Sequence, residues 1–293
     1  MGFNLERIKA LDIWKSEVDI EPVKGGITNQ NYIVADRGKK YFVRIGVDMP
    51  EHGIKRFNEL AASSAASAIG LSPKVIYAEP GIMVLQYIDA DSLTEQSVRE
   101  PDHLIEIVDL IKRCHQDIPG VIRGPTLVFW VFQVLRNYSL TLQEGKSDWL
   151  PCLEKLESIA QQLEADVGEI ELKFGHNDLL AANFLNDGHR IWLIDWDYAG
   201  FNTPLFDLSG LASNNNFSFD EEILLLQHYY RSAPDLRMMK KYSAMKCASL
   251  LREAMWSMTS EIYSNIDFDY TAYARDNLAL FHKAWDIHQT RYR

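Results

Sequence analysis

Cysteine is scarce. The 293 residues hold three, Cys114, Cys152 and Cys247, far apart and odd in number. That excludes a disulfide framework and a cysteine-built metal cluster, and suits buried thiols in a reducing compartment. Long apolar runs are missing too. The longest, Leu127 to Leu135, is broken by Gln133 and far too short to cross a bilayer. The first residues, Met1-Gly2-Phe3-Asn4-Leu5-Glu6, carry a charge early and form no signal-peptide core; Glu6 stands where a myristoylation signal needs Ser or Thr. No basic patch is visible, and the net charge is −11, so a nucleic-acid partner is not expected. Internal repeats and low-complexity segments are also lacking. The expectation is a cytoplasmic protein without membrane or nucleic-acid partners, its oligomeric state left open.

What is present is an ordinary globular balance, 47% hydrophobic and 24% charged residues. An acidic surface could attract a cationic substrate, but the reading it favours first is a net charge that keeps a protein soluble. Residues 3–16 read as a short amphipathic helix. Asn31 to Val34 and Tyr41 to Ile45 are rich in strand formers, with Asp36-Arg37-Gly38 turning the chain between them. Residues 54–69 are alanine-rich and stop at Gly70, the pattern of a helix with a glycine end. Val75 to Ala78 and Ile82 to Tyr87 read as two more strands around Glu79-Pro80-Gly81. Helical patterns follow over 102–116, 127–143 and 150–166, then a strand-rich island over 172–200, then mostly helix from 204 to 290. This predicts an α+β, bilobal plan, with a small β-rich lobe over 1–88, a larger helical lobe over 89–293, and a cleft between them.

The island carries the chemistry. Gly175-His176-Asn177-Asp178 leads through Leu179-Leu180-Ala181-Ala182 to Asn183, and Asp195-Trp196-Asp197 follows a second hairpin. Phosphoryl transfer needs a carboxylate at the attacking hydroxyl, plus a second carboxylate and an amide oxygen for Mg²⁺. His-x-Asp-x-x-x-x-Asn is the spacing of a kinase catalytic loop, and Asp195 stands where the Asp-Phe-Gly aspartate would be. Asp178 is thus the candidate catalytic residue; Asn183 and Asp195 are the candidate metal ligands. No Walker-type Gly-Lys-Ser/Thr motif is present.

With these motifs the chain resembles the choline/ethanolamine kinases, part of the aminoglycoside-phosphotransferase-like group with a protein-kinase-like fold. The resemblance implies ATP and Mg²⁺ as cofactors and a small amino alcohol, choline or ethanolamine, as the acceptor. Lys24-Gly25-Gly26-Ile27-Thr28-Asn29 looks like that family's phosphate loop, implying phosphate contacts from Gly26, Thr28 and Asn29. Arg44 and Glu59 match its strand cation and helix partner, and Gln86-Tyr87-Ile88 its adenine-binding connector, with Gln86 and Ile88 the contacting positions. His176 is implied to be structural, and Asp207 to brace the loop. Asp197 resembles the second acid of Asp-x-Glu/Asp, which implies an aid to the metal site, with a solvated or structural carboxylate as the alternative; it is also grouped with Glu253 and Trp256 on the acceptor side. Trp256 matches one of the family's paired tryptophans; Glu253 stands at the other, a departure that suits a primary amine. Thiamine, an aminoglycoside or a sugar stays open as acceptor, since the transfer machinery is shared. A non-catalytic binder is the other alternative. Asp197 in place of the Asp-Phe-Gly glycine, and the lack of an Ala-Pro-Glu segment, argue against a protein kinase.

Overall fold

In the computed structural model, which describes residues 2–23 and 29–292, a short helix α1 (Gly2–Lys9) leads into an antiparallel sheet. Its strands are β1 (Asp19–Val23), β2 (Gln30–Asp36), β3 (Lys39–Ile45), β4 (Val75–Glu79) and β5 (Ile82–Gln86), in the order β1-β2-β3-β5-β4, with α2 (Arg56–Ala68) inserted after β3. Alternation in β2 buries Tyr32 and Val34, which meet Val43, Ile45, Ile82, Val84 and Ile8 in a first apolar cluster. The β2–β3 turn places Arg37 and Gly38 at φ 48° and 76° between the paired Asp36 and Lys39. A two-residue turn with both centres at positive φ matches the strands' twist, which is why glycine sits there.

Lys24 to Thr28, including the predicted phosphate contacts Gly26 and Thr28, lie outside the described residues.

The chain continues through β6 (Asp91–Ser92), α3 (Glu95–Val98), α4 (Pro101–Val121), α5 (Val131–Glu144) and α6 (Leu150–Val167). The island then gives β7 (Lys173–Gly175), β8 (Phe184–Asn186), β9 (Ile191–Leu193) and β10 (Gly200–Asn202), with β6-β8-β9 and β10-β7 as small antiparallel sheets. Four helices close the chain: α7 (Pro204–Asn214), α8 (Phe219–Tyr230), α9 (Leu236–Tyr263) and α10 (Tyr270–Tyr292). Asp235 caps α9 by accepting from the Met238 N–H at 2.7 Å. From Cys247 to Ser260 every α9 residue is buried, so this helix runs through the second, larger core. Ile54, Ala62, Ala65, Ala66 and Leu71 join that core. By packing, α2 belongs with the helices although it lies within the first 88 residues.

The expected helix over 3–16 ends at Lys9. Asp36 takes the Lys15 N–H at 2.9 Å and the Ser16 hydroxyl at 2.6 Å, drawing that segment onto the sheet. Strand β1, which the sequence pattern did not reveal, is an edge strand containing Pro22. The helix expected from residue 127 begins at Val131, because Leu127 and Phe129 exchange backbone bonds with Phe201. No helix among the described residues is long and apolar enough to cross a membrane.

Candidate active site

The loop between β7 and β8 is shaped by one buried carboxylate. Asp207, in the first turn of α7, accepts from the backbone N–H of His176 at 2.9 Å and of Asn177 at 2.7 Å. His115 of α4 donates to it from Nε2 at 2.9 Å, and the Tyr229 hydroxyl donates to His115 Nδ1 at 2.6 Å. Burial works against the Asp207 charge, yet the hydrogen bond from His115, with His176 beside it, holds its carboxyl below the usual range. A side chain at position 175 would put its Cβ 2.9 Å from Asp207 Oδ2, so only glycine fits there. Asn177 takes a left-handed backbone, φ 65°, and its amide nitrogen donates to the carbonyls of Tyr198 (3.0 Å) and Gly200 (3.1 Å). His176 is buried and donates from Nε2 to the Ile194 carbonyl at 2.9 Å. Its ring ties the two halves of the island together.

Asp178 follows, with Asn183 donating its amide nitrogen to the Asp178 carbonyl at 2.9 Å. That bond leaves the amide oxygen as Asn183's remaining ligating atom. Asp195, also in the left-handed region at φ 68°, keeps a third of its side chain exposed while Oδ1 meets Arg44. Among the described residues no three His, Cys, Asp or Glu side chains form a metal-holding group. One carboxylate and one amide oxygen are too few for a closed protein cage. They fit Mg²⁺, a hard cation that completes its octahedron with water and phosphate oxygens.

On the sheet side a compact ion network sits behind Asp195. Arg44 of β3 reaches Glu59 of α2 at 2.9 Å, Asp195 at 2.8 Å and Asp197 at 3.0 Å. Arg56 reaches Glu59 at 2.6 Å and Asp197 at 2.7 Å. The expected Arg44–Glu59 pairing is present. Burial disfavours the Arg44 charge, and the three carboxylates more than offset it. Asn29 donates to Asp197 Oδ2 at 3.1 Å, which ties the end of the glycine-rich segment to this network. Asp197 is buried among Arg44, Arg56 and Asn29. At the connector, Gln86 is exposed and Ile88 half-buried. The Gln86 N–H is committed to the Lys74 carbonyl at 2.8 Å, so any backbone donor for an adenine comes from beyond it.

On the other side α9 forms a wall. Arg252 Nη1 lies 3.1 Å from Asp178 Oδ1 and also binds Glu253 Oε1. The Tyr273 hydroxyl stands 3.4 Å from Glu253 Oε2. Trp256 donates from Nε1 to the Tyr198 hydroxyl at 3.0 Å, with His52, Tyr270 and Tyr273 around its ring at 5.4, 6.0 and 6.3 Å. Burial raises the Asp178 carboxyl above its ordinary range; Arg252 opposes the rise, and Glu253 and Asp195 add to it. The sequence reading did not assign Arg56 or Arg252. Both carried a signal: Arg56 lies three residues before Glu59, and Arg252-Glu253 is a charged pair inside an apolar helical run.

A family model described as choline/ethanolamine kinase matches residues 20–242. Protein LicA of Haemophilus influenzae is 31% identical over 211 residues, covering 70% of this chain and 61% of that protein. A probable ethanolamine kinase of Arabidopsis thaliana is 30% identical over 289 residues, covering 87% of this chain and 76% of the relative. The crystal structure of a choline/ethanolamine kinase family protein from Mesorhizobium loti superposes with a TM-score of 0.80 at 24% identity, over 100% of this chain and 99% of that one. The fold is therefore that of the protein-kinase-like small-molecule kinases, and the chain belongs to the choline/ethanolamine kinase family.

Proposed function

We propose that this chain transfers the γ-phosphoryl group of ATP to the hydroxyl of a small amino alcohol, choline or ethanolamine. The observation that carries this reading is the position of Asp178 between two differently built surfaces. On one side stand Asn183, Asp195 and the Arg44–Glu59 pair; on the other stands the α9 wall of Arg252, Glu253 and Trp256. The first suits a polyphosphate, the second a small cation.

In this reading Asp178 accepts the proton of the acceptor hydroxyl as that oxygen attacks phosphorus, and ADP departs. A carboxyl raised by burial is a better proton acceptor than an ordinary one. Asn183 and Asp195 would hold Mg²⁺, which when bound neutralises charge on the phosphates. Arg44 fixes Asp195 and faces the phosphates, with Glu59 holding its guanidinium. Gly26, Thr28 and Asn29 supply phosphate contacts, and the connector with Gln86 and Ile88 borders the adenine. Trp256 and Glu253 border the acceptor's amine.

The test is ADP release by purified protein with Mg-ATP and a panel of choline, ethanolamine, thiamine, an aminoglycoside and a sugar. Release with the two amino alcohols alone supports the reading. Release only with another acceptor moves the substrate class, and none with any acceptor removes the catalytic assignment.

A further inference from the structure

Resting on the amino-alcohol reading, we infer that Arg252 is a specificity-determining residue that turns the acceptor pocket toward a primary ammonium and against a quaternary one.

A quaternary ammonium has no N–H. It is held by open aromatic faces through cation–π attraction and contact. Here a cation of the protein already uses one such face. The Arg252 guanidinium lies 4.2 Å from the Tyr198 ring centre and 5.9 Å from that of Phe129. It stays there because Asp178 and Glu253 hold it from two sides and because it is almost completely buried. Trp256 is bordered by His52, Tyr270 and Tyr273, two of them edge-on. The aromatic surface around Asp178 is therefore partly spent on an internal cation.

A primary ammonium has different needs. It brings three N–H donors in a compact group. Arg252 engages Asp178 Oδ1 and Glu253 Oε1, leaving the second oxygen of each carboxylate to other donors; among the described residues Glu253 Oε2 has only the Tyr273 hydroxyl, at 3.4 Å. Two carboxylates and one guanidinium sum to a single negative charge, which one small ammonium balances. A trimethylated nitrogen carries the same charge but cannot donate to those oxygens, and its bulk competes with the guanidinium for Tyr198. Arg252 Nε and Nη2 are buried with no hydrogen-bond partner among the described residues. The guanidinium is held by charge and stacking rather than by a full set of hydrogen bonds, which points to a role in shaping the pocket beyond bracing it.

The experiment measures kcat/KM for ethanolamine, N-methylethanolamine, N,N-dimethylethanolamine and choline, in the wild type and in the double variant Arg252→Met with Glu253→Gln. The double change removes one charge of each sign and so keeps the site's net charge. Wild-type values should fall along the series, with the steepest step, tenfold or more, where the last N–H is lost. The folded double variant should raise the choline-to-ethanolamine ratio at least tenfold. A flat or rising wild-type series overturns the inference whether or not the variant folds. So does a folded double variant whose ratio stays within threefold of wild type. If the wild type binds Mg-ATP yet phosphorylates none of the four, the amino-alcohol reading fails and takes this inference with it; activity on all four at equal efficiency refutes the inference alone.

Discussion

Arg44 Nη2 lies 2.8 Å from Asp195 Oδ1, joining a strand of the N-terminal sheet to a loop residue 151 positions away. The same guanidinium meets Glu59 and Asp197, so one buried cation neutralises part of three acids. Arg44→Met leaves Glu59 and Asp197 with Arg56 and takes from Asp195 its ion-pair partner. Breaking a buried ion network from one side costs about 3–5 kcal/mol. Urea unfolding should show a loss of that order, and KM for ATP should rise. Arg44→Lys keeps the charge without the planar fork, so its stability should recover more than its ATP affinity.

Asp207 works further from the chemistry. It receives the backbone N–H groups of His176 and Asn177 and one histidine. Asp207→Ala strips those donors of their acceptor, at a cost of about 3 kcal/mol. Because the loss falls on the loop carrying Asp178, the expected signature is a fall in kcat larger than the change in either KM. Denaturation and steady-state kinetics on the same preparation check it.

His52 gives the pH dependence. It is buried against Tyr138, Ser260 and Trp256, and burial, aided by the Arg252 charge, lowers its pKa to about 3. The folded state therefore binds this proton less readily than the unfolded chain, whose histidine titrates near 6.5. Its stabilising contribution is complete above about pH 6.5 and is lost as the pH falls from there toward 3, with a slope of at most about 1.4 kcal/mol per unit. His176, shifted in the same direction, adds to the trend. Chemical denaturation between pH 4 and 8 should show stability falling on the acid side, and His52→Gln should flatten that fall.

Much of this arrangement was legible because its signals are local. His176 to Asn183 is a spacing within one loop, and the β2–β3 turn is written in Arg37-Gly38. The Arg44–Glu59 pair was readable as a strand cation followed by a helix acid. Long-range contacts were not. Nothing near residue 15 announces that Asp36 will capture its N–H. The partners of Asp197 stayed hidden because two residues of separation from Asp195 do not reveal that both carboxylates meet Arg44. Arg252 reads as an odd charge in an apolar helix until α9 is packed against the loop that carries Asp178.

The central claim is that Asp178 directs phosphoryl transfer to an amino alcohol. Phosphorus NMR of wild type and Asp178→Asn, each with Mg-ATP and ethanolamine or choline, follows the phosphate monoester directly. Wild type should build that resonance as the γ-phosphate signal of ATP declines. Asp178→Asn, with KM for ATP within about threefold, should form it about 10²–10⁴ times more slowly, the range of a lost general base. A folded Asp178→Asn enzyme that forms the ester at the wild-type rate would contradict the account, as would a wild type that binds ATP and never forms it.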